Sequence, residues 1–396
     1  MHIAYICTDP GVPVFSQKGS SIHVQEVIRA MVGQCAQVEL FAARLGGDPP
    51  QDLRDIVVHS LPFAPRGDLV RREQAAFEAN KDLNEALKIA GPFDLVYERY
   101  ALWGFAGMEY ARSAHIPGLL EVNAPLVEEQ VQYRGLVDRL GAESVSERVF
   151  KAATMLIAVS DEIAAYLESF PEVRGRVHIV PNGVNPLRFP AGLAPACPAR
   201  PGTYTVGFVG SLKPWHGLPV LVEAFALLLQ RAPACRLLIV GDGPERDNLA
   251  AHISSQGISQ AVHLTGALSP GQVPGMLASM DVGVAPYSRT EQFYFSPLKV
   301  YEYMAAGLPV SASKVGQLAS LIHEGVNGLL SSPGDVSALA EVLDRLRLSP
   351  QLRHRLGQAG RAAVLRDHTW KAVVRRIFEM AGFSAPELST VVEGEA

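Results

Sequence analysis

The sequence predicts an α/β protein made of two doubly wound parallel-sheet domains facing a central cleft. Three observations carry this. Short apolar runs alternate with segments of helical period along nearly the whole chain, the pattern of a parallel sheet covered by helices on both faces. The alternation is interrupted at Leu187–Thr203, where Pro190, Pro195, Pro198 and Pro201 stand among Ala and Gly and mark a linker. It then restarts with a fresh strand. A length of 396 residues suits two domains. The expected boundaries are residues 1–186, a linker over 187–203, and residues 204–369.

In the first half, His2–Cys7 reads as a strand, Ile22–Val32 as an amphipathic helix and Gln37–Ala42 as the next strand. Between strand and helix lies a Gly/Pro/Ser-rich loop in which Gly19 and Ser20 open the helix. Such a loop sits at the carboxyl end of a strand, where open α/β sheets bind ligands. A small-residue turn there lets a ligand approach the backbone, or serves only as a flexible connection. His23 lies inside the helix and reads as structural. A long polar helix spans Arg71–Ile89, then Phe93–Tyr97 is a strand, Leu102–Ser113 a helix and Gly118–Val122 a strand. Asn123 follows at the ligand edge. Its amide both donates and accepts without charge, which suits sugar hydroxyls, though an Asn before Pro125 is also ordinary turn chemistry. Glu128–Phe150 reads as one helical stretch, Met155–Ser160 as a strand, Asp161–Leu167 as a helix and Val177–Val180 as a strand.

In the second half the strands read as Thr205–Val209, Arg236–Val240, Val262–Thr265, Val282–Pro286, Val310–Ser313 and Gly328–Leu330. Helices are expected at Leu218–Arg231, from the GDGP turn to about Ser255, at Pro270–Ser279, Val315–Ile322, Val336–Leu346 and Leu352–Ala363. A final helix spans Thr369–Met380, and the tail over 385–396 reads as disordered.

Composition limits the function. The chain is 48% hydrophobic and 19% charged, with a net charge of −5, so nothing points to nucleic acid. Cys7, Cys35, Cys197 and Cys235 lie far apart with no metal-type spacing, which fits free thiols in a reducing cytoplasm. The first residues form a strand pattern and not a signal peptide. No apolar run approaches the ~20 residues of a membrane span. Residues 1–183 hold 17 Lys+Arg against 24 Asp+Glu, while the rest hold 18 against 16. The acidic half is a poor partner for an anionic membrane surface, and the second half is the better host for a phosphate ligand.

The sharpest chemical signal is the segment preceding the strand at Val310. Ser296 reads as an N-cap, Pro297 as the first helical residue and Leu298 as the start of the apolar stripe. Gly307 fits the position after the helix end. Lys299 places a cation beside the positive end of the helix dipole, an arrangement that makes sense when an anion such as phosphate sits there. Glu302 is three residues on, on the same face. From Ser296 to Glu302 the axis rises roughly 9 Å, enough for a diphosphate at the helix start and a carboxylate near an attached ribose. Two more loops face the same sheet edge. Gly210 and Gly217 enclose Ser211, Lys213 and His216, with Lys213 a point charge for phosphate and His216 a donor toward a leaving oxygen. Gly241 opens a GDGP turn whose Asp242 can cap the next helix. The glycine fingerprint of dinucleotide binding is absent after the first strand, as are metal-spaced clusters, so no metal or cofactor is expected.

Taken in order, Asp94–Tyr100, Val159-Ser160, Val180-Pro-Asn-Gly-Val-Asn185, Gly207–Leu212, Val240–Pro244, Asp281–Pro286, Ser296–Gly307 and Asn327–Leu330 resemble the retaining glycosyltransferases of family 4, of GT-B fold. The resemblance implies a nucleotide-sugar donor held by the C-terminal domain, a hydroxyl acceptor held by the N-terminal domain, and metal-independent transfer of a hexosyl-type sugar across the cleft. It implies that Glu302 binds both ribose hydroxyls and that N–H groups around Pro297–Lys299 face the diphosphate. Lys213 and His216 lie where the family places an Arg and a Lys on that diphosphate, and Ser211 stands where the usual Arg would be. Asn123 lies near a position where relatives carry a His beside the transferred sugar. The last helix, about 370–384, is expected to cross back to the first domain. Tyr294 occupies the position of the family's first Glu, with Glu291 three residues earlier, so the SPLK and KPWHG forms look like a coherent variant. The alternatives are a nucleotide-sugar-binding module without turnover, a GT-B epimerase or phosphorylase, and, more remotely, a dinucleotide-dependent oxidoreductase.

Overall fold

The computed structural model describes residues 1–62, 67–288, 293–294 and 296–383; Glu291 and the tail over 385–396 lie outside them. The chain divides into two units, Met1–Pro181 together with the chain from Trp370, and Asn182–Thr369.

The first unit is a seven-stranded sheet of order β3-β2-β1-β4-β5-β6-β7. Its strands are β1 (His2–Cys7), β2 (Gln37–Ala42), β3 (Val57–Ser60), β4 (Leu95–Arg99), β5 (Gly118–Val122), β6 (Met155–Ala158) and β7 (Val177–Ile179). Every pairing is parallel. The order reverses between β1 and β4, the switch point at which doubly wound sheets bind ligands. β1 and β2 are almost wholly buried runs, IAYIC and VELFA, as strands covered on both faces must be. The terminal helix Trp370–Met380 belongs to this unit and packs on Gly19–Val32, with the Trp370 ring 4.9 Å from that of His23.

Three sequence expectations change here. β3, VVHS, is an edge strand with both ends exposed, and four residues with a central His carry too little apolar signal to announce one. The single helix expected over 128–150 is two, Leu126–Tyr133 and Arg139–Ala152. Gly135 between them has φ +82°, and Asp138 caps the second by accepting from the Gly141 N–H at 2.9 Å. The helix expected from Leu102 starts only at Ala106. The buried Asn80 amide holds the loop before it, its Oδ1 accepting from the N–H groups of Phe105 and Ala106 and its Nδ2 donating to the carbonyls of Phe77 and Trp103.

The second unit is a six-stranded parallel sheet of order β10-β9-β8-β11-β12-β13. Its strands are β8 (Tyr204–Val209), β9 (Cys235–Val240), β10 (Val262–Leu264), β11 (Val282–Ala285), β12 (Val310–Ser313) and β13 (Leu329–Ser331). It too has a switch point, between β8 and β11. The stretch expected as a linker, 187–203, is built into this unit. Phe189 is buried, the Ala196 N–H donates to the Gly275 carbonyl at 2.8 Å, and the Cys197 N–H donates to Ser279 Oγ at 2.9 Å. It carries no helix or strand beyond the short turn Pro186–Arg188, which is why composition alone reads it as a spacer. The helix expected over 270–279 shortens to Val273–Leu277, and the one expected over 352–363 lengthens to Pro350–Asp367. In the latter, Ser349 caps the start and Pro350 takes the first helical position, as the N-terminal preference for Pro allows.

One buried group in the first unit sets a pH dependence. Glu98, on β4, is fully buried, and neither of its carboxylate oxygens finds a side-chain partner among the described residues. Burial pushes its carboxyl from 4.5 up to about 8, against a weaker pull from the Met108 backbone N–H. The native state therefore keeps a proton that the unfolded chain has already released, so this contribution is complete below pH ~4.5 and is lost as pH rises through about 8. Glu98→Gln should flatten this slope, gaining stability over the wild type by up to about 4 kcal/mol between pH 5 and pH 8. Urea denaturation at pH 5, 6.5 and 8 measures it; parallel wild-type and variant curves would refute it.

Candidate active site

At the β8–β11 switch point the chain brings three loops and one helix start together. The loop after β8 is tied to the loop after β9 by the Leu212 N–H donating to the Asp242 carbonyl at 3.0 Å and the Glu245 N–H donating to the Leu212 carbonyl at 3.2 Å. Gly241 has φ +140°, and a Cβ there would fall 2.0 Å from the Gly210 carbonyl oxygen. Gly217 has φ +66°, and a Cβ there would fall 1.7 Å from the Pro286 carbonyl oxygen, just past β11. The glycines thus serve backbone-to-backbone contact between loops. Asp242 accepts from the Gly243 N–H at 2.8 Å and is otherwise exposed.

The helix start differs from expectation. The helix runs Leu298–Ala305, Pro297 precedes it, and no side chain caps it. Ser296 is engaged elsewhere: its Oγ accepts from the Asn182 N–H at 3.2 Å and its carbonyl from Asn182 Nδ2 at 2.8 Å. The Pro-Asn-Gly turn at Asn182 therefore anchors this segment, and the first turn of the helix keeps the outward-facing N–H groups such a turn carries. Tyr303 fastens the helix to the sheet, its hydroxyl accepting from the Val209 N–H at 2.7 Å, while its ring occupies the space opened by Gly283.

Lys299 is buried, and its ammonium has no hydrogen-bond partner among the described residues. Nζ lies 4.1 Å from the centroid of Phe208 and 5.3 Å from that of Tyr287. It also lies 2.9 Å from where a Cβ on Gly210 would stand, so Gly210 leaves it room. Cation–π contacts with two rings only partly replace lost hydration. Burial pulls the ammonium from 10.5 down to about 7, with Glu302 opposing. His216 borders the same cluster, its ring 5.5 Å from Tyr287 and 5.9 Å from Phe208. Its Nδ1 lies 2.5 Å from the Ser211 carbonyl, which as an acceptor fixes the proton on Nδ1 and leaves Nε2 as a lone pair. Burial, then Lys299, depress its pKa from 6.5 to about 3. The expected donor role of His216 toward a leaving oxygen is thus not available to the neutral ring, which presents an acceptor. Lys213 stands at the loop's outer side with Nζ 5.7 Å from the Trp215 centroid.

Glu302 lies one turn along, largely buried, and accepts from Arg188 NH1 at 2.7 Å; Arg188 also donates to the Pro270 carbonyl at 2.9 Å. Arg188 escaped the sequence reading because it lies in the supposed linker. Asn182 was legible only as part of the quoted Val180–Asn185 turn, and Phe208, Tyr287 and Tyr303 look like ordinary core residues.

Gly19 and Asn123 belong to the first unit. Gly19 is exposed at the first position of its helix, without a positive φ. Asn123 follows β5, and its Nδ2 is buried without a partner among the described residues. Beneath it is a buried charged group: Glu121 Oε1 lies 2.7 Å from His23 Nε2, and Glu121 Oε2 lies 3.9 Å from Arg99 NH1. Burial would raise the Glu121 carboxyl, but His23 and then Arg99 hold it below the ordinary carboxylate range. His23 is a structural residue that supports the end of β5.

The family profile described as "Glycosyltransferase Family 4" matches residues 18–188, and that described as "Glycosyl transferases group 1" matches residues 197–363. Among curated proteins, the chain is 26% identical to the D-inositol 3-phosphate glycosyltransferase of Salinispora arenicola, over 92% of this chain and 87% of that protein. It is 28% identical to the Frankia alni protein of the same name, over 91% of this chain and 93% of that protein. Among solved structures, the sucrose-phosphate synthase of Thermosynechococcus elongatus superposes with TM-score 0.73 at 23% identity, covering 96% of this chain and 98% of that one. The Anabaena protein HepE, in complex with UDP and glucose, superposes with TM-score 0.71 at 19% identity, covering 96% and 99%. Among the described residues no helix is long and apolar enough to cross a membrane.

Proposed function

The chain belongs to the family 4, group 1 glycosyltransferases, enzymes of GT-B fold, and on that premise we propose that it moves a hexosyl-type sugar from a nucleoside-diphosphate sugar to a hydroxyl of a glycan, glycolipid or small-molecule glycoside, with retention and without a metal, in the cytoplasm. The observation that carries the donor assignment is Lys299: a buried ammonium without a hydrogen-bond partner among the described residues, at a helix start, beside the Phe208 and Tyr287 rings. HepE, which shares the fold, is crystallised with UDP-glucose, which supports a nucleoside diphosphate as that anion.

In this reading the diphosphate lies against the N–H groups of the first helical turn and Lys299, with Lys213 approaching from the loop after β8. Its charge favours the ammonium form of Lys299, so binding takes up a proton at neutral pH. Glu302, held by Arg188, faces the ribose hydroxyls as an acceptor. The bond from the anomeric carbon to the diphosphate oxygen breaks, and Lys213, Lys299 and the helix dipole stabilise the charge that develops. The acceptor oxygen forms its bond on the same face, and its proton passes to the leaving oxygen. His216 Nε2 accepts a hydrogen bond at that oxygen once it is protonated.

A thermal-shift panel of UDP-, GDP-, ADP- and dTDP-sugars tests the donor, since binding to the native state alone raises Tm. One nucleotide should give a shift that its nucleoside, lacking the diphosphate, does not. Lys213→Ala should lower kcat by about 10²-fold, the scale of one lost transition-state contact; near-wild-type turnover would sink its role. Activity abolished by EDTA and restored by Mg²⁺ would overturn the metal-free mechanism. A strong shift without turnover on any acceptor would leave a binding module.

A further inference from the structure

The first unit contains a cavity of about 110 Å³ that the donor chemistry does not use. Its wall is made by residues that follow the carboxyl ends of five strands: Thr8 after β1, Ala43 after β2, Leu61 after β3, Ala101 after β4 and Leu126 after β5. That is the edge, and the switch point, at which doubly wound sheets hold their ligands. The helix Leu69–Ala90 closes it. Along one face, Leu69, Ala76, Ala79 and Leu83 line the cavity. The methyl side chains of Ala76 and Ala79 stand where a core-facing helix would carry larger groups, so the space is left by the sequence and not by poor packing. The Asn80 amide described above pins the opposite wall at Trp103.

Much of the lining is aliphatic, with the Trp103 ring, while Asp9, Arg72, Glu73, Gln130 and Arg134 also border it and Arg72 and Arg134 are exposed. Thr8 lines it through its other atoms, its hydroxyl oxygen being shut off from the cavity. A cavity of ~150 Å³ with aliphatic and aromatic walls takes up one benzene molecule, so this one matches a phenyl ring or a chain of about six carbons.

We propose that this cavity binds the apolar, non-sugar part of the acceptor, an alkyl or aryl group of about six carbons. The assignment to the acceptor rests on the transferase reading; the binding of such a group does not. The acceptor is then an amphiphile, its apolar end seated between the helix Leu69–Ala90 and the strand ends, in place of a purely polar sugar chain.

The test uses the full chain and a series of primary alcohols, ethanol, butan-1-ol, hexan-1-ol and benzyl alcohol, titrated by saturation-transfer NMR, with glycerol as the polar control. Affinity should rise about three- to fourfold per added methylene, the gain of burying a CH₂, and benzyl alcohol should match hexan-1-ol. Ala79→Phe fills the cavity and should cost at least tenfold in hexan-1-ol affinity, while the Tm shift with UDP stays at its wild-type value. Ala76→Phe is the second variant should the first fold poorly. Equal affinity for all the alcohols and glycerol, or hexan-1-ol binding that neither variant weakens, would overturn the proposal. The UDP shift keeps the two readings separable. A retained shift with no alcohol selectivity refutes the cavity assignment alone. Selective alcohol binding without a shift from any nucleotide upholds the cavity as a site and refutes the transferase reading.

Discussion

Lys299→Met should make the ligand-free protein more stable and the enzyme nearly inactive. The two effects have one cause. Lys299 is buried against Phe208 and Tyr287 without a hydrogen-bond partner among the described residues. Its pKa lies near 7 instead of 10.5, so between those values the unfolded chain holds a proton that the native state has lost. The sign follows: this depressed group costs the native state most below pH ~7 and costs progressively less as pH rises toward 10.5. A Met of similar length removes the ionisable group and keeps the apolar stem, which should raise stability at pH 7 by on the order of 2–4 kcal/mol. Loss of the cation should also erase the Tm shift given by the nucleoside diphosphate and lower kcat/KM by about 10²–10³-fold. Denaturation of both proteins at pH 7, with and without UDP, reads both effects. A Met variant that is less stable than wild type, or that still shifts with UDP, would show that Lys299 is a structural residue. The trade of stability for function that this predicts is common where a site holds an unpaired charge in readiness for its ligand.

Gly217→Ala should be the most damaging small substitution in the second unit. The left-handed backbone at φ +66° costs an alanine about 1 kcal/mol. The added methyl would also stand 1.7 Å from the Pro286 carbonyl oxygen, and that neighbour is backbone, which cannot swing aside. The loop after β8 must therefore lift from the end of β11, where Tyr287 and His216 meet edge to face. The expected loss is on the order of 3 kcal/mol in stability, with a larger KM for the donor, because Lys213 and the Lys299 cage lose their common frame. Urea denaturation and donor titration measure it. Wild-type stability would mean that the loop is free of β11.

Much of the candidate donor site is legible in the sequence. The pattern Ser296–Glu302, read as a helix start with a misplaced cation, pointed to an anion, and the loops at Gly210–Gly217 and Gly241–Pro244 pointed to the same sheet edge. What failed were the details that depend on partners distant in sequence. Ser296 is an N-cap by every local rule, but Asn182, 114 residues away, takes its hydroxyl and its carbonyl. Leu187–Thr203 reads as a spacer, but it packs into the second unit, and Arg188 at its start holds Glu302. His216 reads as a proton donor, but its tautomer is set by the Ser211 carbonyl and its charge by burial beside Lys299.

By itself, the sequence determined the two βα-alternating halves, the absence of a dinucleotide fingerprint, and the loops that carry the glycines and cations. These are local properties: period, turn chemistry and capping act over a few residues, so the chain displays them directly. Only the tertiary structure decided that Lys299 is buried with no hydrogen-bond partner among the described residues, that Ser296 answers to Asn182, and that Ala76 and Ala79 leave a cavity beside Thr8. Those depend on which atoms exclude water from which others, and solvent exclusion is a property of packing between segments that no spacing along the chain encodes.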